Sequence, residues 1–333
     1  MKKFSGYFAI IIFLFFLSLI FYSIDEIFIF RTLTEAKRFE IEKGEGADSV
    51  IARLKDDGLI RNKLVVRFFL ISTGIHKDIK GGIYTIGPTY SVKQIFDQFV
   101  MGGGPEVRIF EGWTIKEIAA ALKGAGLIVS EAEFQKAAFN FDNSESGYAF
   151  LPRESKVNLE GYLFPDTYRL EKSPVAELIK MMLDNFDRKV YSKYKNKSAG
   201  DLREILIMAS MLEREVRTEA DMKLVSGILW KRLESELPLQ VDATLVYIKC
   251  NLLNVSNCRA LAENDKKIKS PYNTYLNQSL PPAPISNPGL LAVFAAAGPE
   301  GSDFWYYLSA RDDGRTIFSR TLNEHNLNRS VYR

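Results

Sequence analysis

One stretch of this chain occurs twice, and that repetition limits its fold more than any other feature. Residues 41–60 read IEKGEGADSVIARLKDDGLI, and residues 109–128 read IFEGWTIKEIAAALKGAGLI. At a constant offset Ile41 matches Ile109, Gly44 matches Gly112, and Ala52 matches Ala120. Leu54-Lys55 matches Leu122-Lys123, Gly58-Leu59-Ile60 matches Gly126-Leu127-Ile128, and Val50 faces Ile118. Each copy spells a strand, a glycine-bearing turn, a short amphipathic helix and a glycine stop. Asn62 and Ser130 are then placed to cap a second helix. Between the copies, residues 82–86 read as a strand and residues 91–100 as a helix capped by Ser91. Residues 38–140 are therefore expected to form an α/β region. Units of this kind commonly bind ligands, but shared packing alone would also explain the repeat.

The polar, Gly/Ser-bearing stretch 140–153 suggests a boundary, and residues 154–333 turn mostly helical. Ser173-Pro174 reads as an N-cap and N1 proline opening a helix towards Tyr194. Asp201 is expected to cap the next helix, and a third covers residues 220–236 before Pro238 stops it. Asn287-Pro288 reads as another cap and N1 pair. Residues 304–308 and 315–318 flank Asp312-Asp313-Gly314, a hairpin signal, and a last short helix carries His325. The expected fold class is α+β.

Ahead of the repeat, residues 4–24 carry no charge. As a helix they would span ~31 Å, the thickness of a bilayer's hydrocarbon core. Lys2 and Lys3 precede the run, and Asp25 and Glu26 follow. The positive-inside rule gives a cytoplasmic tail of residues 1–3, one transmembrane helix, and a body outside the cytoplasm. The run exceeds a signal-peptide core, and no A-x-A-like site follows it, which favours an uncleaved anchor.

Composition removes several kinds of chemistry. With 44 basic and 41 acidic residues the net charge is only +3, and no basic stripe interleaves with aromatics, so no nucleic-acid partner is expected. Two histidines, His76 and His325, and two cysteines, Cys250 and Cys258, supply no metal-ligand pattern. Neither a phosphate-binding loop nor a G-x-S-x-G elbow occurs, and no metal or organic cofactor is expected. The cysteines either close a short loop or serve as small buried hydrophobes.

The carboxylates remain, and Glu213 stands out among them. On a helical projection Leu202, Ile205, Leu206, Ala209, Leu212 and Val216 share one arc, and Glu213 falls inside it. Glu204, Arg214, Glu215 and Arg217 fall outside. A carboxyl group on an apolar face is desolvated and its pKa rises, as a general acid near neutral pH requires. The plainer reading is a structural ion pair between helices.

Other segments combine polar groups with aromatics in loops. EGYLFPDTY (160–168) offers Glu160, Asp166 and Tyr168; LQVDATLVY (239–247) puts Gln240 and Asp242 at a strand-to-helix junction; SPYNTY (270–275) offers Tyr272, Asn273 and Tyr275. Such side chains stack on sugar rings and hydrogen-bond their hydroxyl and acetamido groups. Taken singly, each is as well explained by a cap, a turn or a core tyrosine.

These segments, with ASMLEREV (209–216), SLPPAPISNPG (279–289) and TIFSRTLNEHN (316–326), resemble the endolytic murein transglycosylase, or YceG-like, family in order and spacing. The resemblance runs from Phe39 to the C-terminus. It implies LysM-like α/β structure near the membrane and a catalytic domain over residues 154–333. The family's catalytic Glu closes an Ala-Ser-x-x-Glu motif, here Ala209 to Glu213. The implied reaction is lytic cleavage of the MurNAc–GlcNAc bond in nascent peptidoglycan, leaving 1,6-anhydro-MurNAc ends, with Glu213 as acid and then base. Implied partners are glycan strands and peptidoglycan synthases, at the bacterial inner membrane. A muramidase-type hydrolase using Asp242 or Glu160, and a non-catalytic glycan-binding regulator, remain open. The insert carrying Cys250 and Cys258 departs from the family pattern.

Overall fold

The computed structural model describes residues 17–18, 20–29, 35–42, 44–103, 106–144, 146–169, 174–311 and 313–332. Most of the expected span 4–24 lies outside these residues, as do Ser173 and Asp312. Among the described residues no helix is long and apolar enough to cross a membrane. The fold is helix-rich α+β, with three two-stranded sheets among the described residues. The chain forms two compact units, residues 1–106 with 169–172 and residues 107–168 with 173–333.

In the first unit, β1 (Lys37–Ile41) pairs antiparallel with β2 (Gly82–Ile86), setting Phe39 opposite Tyr84. Alternation sends Phe39, Ile41, Tyr84 and Ile86 inward. α1 (Ala47–Asp56) and α2 (Lys63–Thr73) lie between the strands in sequence, and α3 (Val92–Met101) follows. Phe99 of α3 stacks on Phe39 at 5.6 Å and meets Tyr84 edge-on at 4.6 Å. The expected caps form: Asn62 accepts from the Leu64 and Val65 N–H groups, and Ser91 with Gln94 makes a capping box.

The second copy of the repeat belongs to the other unit. β3 (Glu106–Arg108) pairs with β4 (Thr167–Arg169), and α4 (Ile115–Gly124) and α5 (Glu131–Phe139) follow β3. Gly44 and Gly112 both take left-handed φ, +86° and +76°, while Gly58 and Gly126 both sit at +73°. These are angles at which a Cβ is strained. Outward ties rather than the repeat decide which core the second copy joins. Its Gly112 N–H donates to Asn287 O (2.8 Å), and its Ile115 N–H donates to Glu160 (3.0 Å).

The rest of this unit is α6 (Val175–Phe186), α7 (Ala199–Glu215), α8 (Glu219–Glu234), α9 (Asp242–Tyr247), α10 (Leu290–Ala297), the hairpin β5 (Tyr306–Ser309) and β6 (Thr316–Ser319), and α11 (Leu322–Tyr332). Several expected boundaries move. α7 opens at an Ser198 cap, with Asp201 completing a capping box as its third residue rather than capping the helix itself. Pro174 stands at the N-cap position of α6. Gly289, not Asn287, precedes α10. No strand leads into α9; residues 237–241 form no regular element, and Gln240 among them takes a left-handed φ of +56°. α7 is buried on nearly every side, since Met208, Ser210 and Met211 are as inaccessible as the apolar arc. The helix is central because α8 and α10 both pack on it.

Candidate active site

Glu213 occupies the last turn of α7, half-buried, and its seat is made of glycines. Its Oε2 accepts the Gly289 N–H at 2.8 Å. On another side, a Cβ added to Gly112 would stand 3.3 Å from Glu213 Cγ. A Cβ on Gly289 would fall 2.6 Å from Glu111 Cγ and 3.4 Å from Glu213 Oε2, so Glu111 and Glu213 flank the same glycine. Burial pushes the Glu213 carboxyl above its ordinary range. The Gly289 N–H pulls it back, and the neighbouring Glu111 charge adds to the rise. Oε2 is taken up by the Gly289 N–H, which leaves Oε1 able to carry a proton when the group is in its acid form.

Two side chains fix that seat. One turn before Glu213, Ser210 accepts the Ile285 N–H at 3.0 Å, and its carbonyl accepts the Ser286 hydroxyl at 3.0 Å. Residues Ser210 and Glu213, three apart on one helix face, thus grip the loop at residues 285–286 and at residue 289. The second is Asn287, fully buried. Its Oδ1 accepts from Gly161 and Leu163 N–H, both at 2.9 Å. Its Nδ2 donates to Trp113 O at 2.9 Å and to Glu160 Oε1 at 3.0 Å. This single amide ties together the segments that carry Glu111, Glu160 and Gly289. Arg214 completes the frame by donating to Gly112 O at 2.7 Å.

Glu213 opens on a cavity of about 430 Å³ shared with Glu111, Arg108, Asp166, Lys189 and Arg217. Asp166 is pushed up by burial but held below its ordinary value by hydrogen bonds from Lys189, Asn185 and the Thr167 N–H. It is a charged wall, salt-bridged to Lys189 at 2.6 Å. A polar cavity with one raised carboxyl, one exposed carboxylate and several cations suits proton transfer to an uncharged, hydroxyl-rich ligand.

The other residues singled out by sequence do not gather around Glu213, a correction to the expected single cleft. Gln240, Asp242 and Tyr275 line a different cavity of about 370 Å³. Tyr272 packs against Tyr247 in a tilted pair, ring centres 5.1 Å apart. Asn273 is fully buried, its amide spent on the Lys266 and Ile268 carbonyls and the Tyr275 N–H. Tyr168 is buried with its hydroxyl donating to Phe164 O at 2.6 Å. These last two frame the fold because no polar atom of theirs is left facing solvent. Glu111 and Asn287 were missed as site residues. The repeat held a signal for Glu111, since the first copy has Lys43 at that position.

Glu160 is also buried, behind Asn287, and this has a measurable consequence. Burial pushes its carboxyl up to about 8 from 4.5, against the lowering pull of the Ile115 N–H. The folded state therefore holds a proton that the unfolded chain has lost. The resulting stability is full below the unfolded value and drains away as pH rises from about 4.5 through about 8. Glu160→Gln keeps an acceptor for both N–H donors, so its unfolding free energy should fall less between pH 5 and pH 8.5 than the wild type's. Equal slopes in urea titrations would show that Glu160 is ionised in the folded protein.

Cys250 and Cys258 form a disulfide, which settles the alternative left open by sequence. The insert they close docks on α4, where Lys116 donates to Cys250 O at 3.2 Å and Asn251 O at 2.6 Å.

Known proteins resemble this chain along most of its length. Residues 39–330 match the profile of the YceG-like family. A protein of Bacillus subtilis (strain 168) named endolytic murein transglycosylase is 27% identical over 308 residues, covering 88% of this chain and 83% of that protein. One of the same name from Streptococcus pneumoniae (strain D39) is 27% identical over 315 residues, and there the chain spans 57% of the relative's length. The crystal structure of a yceG-like protein from Listeria monocytogenes superposes with a TM-score of 0.59 at 28% identity, covering 88% of this chain and 99% of that one.

Proposed function

The chain belongs to the YceG-like family, and from that premise we propose that it is a peptidoglycan lytic transglycosylase acting through Glu213. The observation that carries the reading is the raised, half-buried carboxyl of Glu213 on the 430 Å³ cavity, with Gly289 holding one oxygen. Protonated Glu213 gives its proton to the oxygen joining MurNAc to GlcNAc as that bond breaks. Positive charge grows on the MurNAc anomeric carbon, where the sugar's own acetamido group can share it. Glu213, now a carboxylate, takes the proton of the MurNAc 6-hydroxyl, whose oxygen closes on the anomeric carbon. The acid is regenerated, no water is consumed, and the product ends in 1,6-anhydro-MurNAc.

The uncharged run 4–24 behind Lys2 and Lys3 supports a single-pass inner-membrane anchor with the enzyme outside the cytoplasm, near nascent strands and the synthases that make them. The β1–α1–α2–β2 order of the first unit, with its two strands antiparallel, supports a LysM-like glycan-binding role for it.

One observation favours a second reading. Glu111 lies close enough to Glu213 for its charge to raise the Glu213 carboxyl, so a two-carboxylate hydrolase would use Glu111. Asp242 and Glu160, the sequence candidates for that base, line another cavity and a buried hub respectively. Mass analysis of products from purified sacculi separates the two: anhydro ends one water lighter than reducing ends mark the lytic reaction. Activity should also carry an alkaline limb. The acid form of Glu213 is lost as pH climbs through its raised value, so the limb lies above the ordinary 4.5. A pH profile declining through the ordinary carboxylate range would contradict the desolvated acid.

A further inference from the structure

The first unit holds a helix that is apolar on two opposite sides. In α2 (KLVVRFFLIST) Val66 and Leu70 are buried in the core. Leu64, Phe68 and Ile71, spaced by four and then three residues, share a ~60° arc on the other side. They are 77%, 75% and 56% exposed. An ordinary surface helix turns polar residues to solvent. This one turns large hydrophobes outward, and a contiguous patch of that kind marks an interaction surface.

The patch continues onto the segment that leads into the unit. Residues 20–28 are helical, with Ile24 and Phe28 exposed. Between this helix and α2 lies a cavity of about 490 Å³, lined by Ile20, Ile24 and Phe28 on one side and Leu64 and Phe68 on the other. Its only polar side chains among the described residues are Ser23 and Ser72. It therefore lacks the converging polar groups that orient a sugar, and suits hydrocarbon instead.

The two helices are pinned together. Glu26 is fully buried, and its carboxylate accepts the Arg61 N–H at 2.7 Å, the Asn62 N–H at 3.1 Å and Arg61 Nε at 3.1 Å. Arg61 also pairs with Asp25. Ile27 joins the core, and Phe28 meets Phe69 edge-on at 6.1 Å. Ile20, Ser23 and Ile24 belong to the uncharged run 4–24. Sharing one cavity with them sets Leu64 and Phe68 at the depth of that run's outer end.

We propose that the outward apolar side of α2 lies in the outer leaflet of the membrane beside the anchor, with phospholipid acyl chains filling the cavity. The assignment rests on residues 4–24 being a membrane anchor. Lys63 and Arg67, both exposed, run along one edge of the stripe, where long basic side chains can reach headgroup phosphates. The first unit is then seated on the bilayer at two places instead of hanging from a flexible stalk.

The test uses the full chain in liposomes of phosphatidylethanolamine and phosphatidylglycerol. Cys250 and Cys258 are the chain's two cysteines and are joined to each other. Phe68→Cys or Ile71→Cys therefore introduces the one reactive thiol, at a position too exposed for the change to unfold the unit. A fluorophore placed there should be quenched by nitroxide-bearing lipids at a depth of ~5–10 Å into the headgroup and acyl boundary, and should lose its quenching by aqueous iodide. Ile20→Cys, labelled in the same way, reports the anchor. Lipid quenching at residue 20 with iodide quenching at residues 68 and 71 would leave the anchor standing and overturn the membrane contact of α2. Iodide quenching at all three positions would sink the anchor reading and this one with it. Labels at 68 and 71 shielded from both quenchers would mean that protein covers the face, a second copy of the chain if Phe68→Cys then cross-links, and would equally overturn the proposal.

Discussion

Glu213→Gln should abolish glycan cleavage while leaving the protein folded. The amide is almost the same size and still offers an oxygen to the Gly289 N–H, which Glu213 accepts at 2.8 Å. It cannot give a proton and take one back. Loss of general acid–base catalysis costs ~10²–10⁴-fold, and here one group is asked for both transfers, so the upper part of that range is expected. The measurement is the rate at which anhydro ends appear from sacculi, alongside a melting curve showing intact structure. Residual activity near wild type would remove Glu213 from the mechanism. Glu111→Gln supplies the contrast. It deletes the like charge that helps raise Glu213 and leaves the acid in place, so its alkaline limb should move to lower pH with cleavage retained. If Glu111→Gln is as inactive as Glu213→Gln, the two-carboxylate hydrolase becomes the better account.

Sequence made Glu213 visible for a local reason. Helical periodicity is a one-dimensional signal, and a carboxylate inside an apolar arc breaks it. The repeat was legible on the same terms, because its paired glycines answer to backbone angles, +73° at both Gly58 and Gly126. What surrounds Glu213 was not legible, because it arrives from elsewhere in the chain. Gly289 and Asn287 read as a helix start, whereas their work is tertiary: one N–H on Glu213 and one amide joining three segments. The same limit explains the misjudged cleft. Nothing in the spacing of Gln240, Asp242 and Tyr275 says which flank of α7 they occupy. The two-residue step from Glu213 to Glu215 divides the flanks, and only the packed helix shows which segment lies against each.

Asn287→Leu should be the most destabilising single change near the site. Leucine matches the shape of asparagine but offers no hydrogen bond. The Gly161 and Leu163 N–H groups, which both donate to Asn287 Oδ1 at 2.9 Å, would be left buried without a partner. Each such orphan costs ~1–3 kcal/mol, so ~2–6 kcal/mol is expected in total. The Trp113 carbonyl and Glu160 are less affected, since they keep the Asn287 and Ile115 N–H groups respectively. All three tryptophans, Trp113, Trp230 and Trp305, lie in the second unit. Tryptophan fluorescence in urea therefore reports this unit without assuming that both units unfold together. Asn287→Asp separates the hydrogen bonds from the shape. It keeps an acceptor for both N–H groups, and its second oxygen can accept a proton from neutral Glu160. That compensation lasts only while Glu160 stays protonated, and it should disappear at a pH above the wild type's value of about 8, because the new carboxylate adds a like charge beside Glu160. The Asp variant should thus lie near wild type at pH 5 and approach the Leu variant above pH 8. An Asn287→Leu protein within ~0.5 kcal/mol of wild type, the range of an ordinary surface change, would mean that the three segments hold their places without this amide, and Glu213 its seat without them.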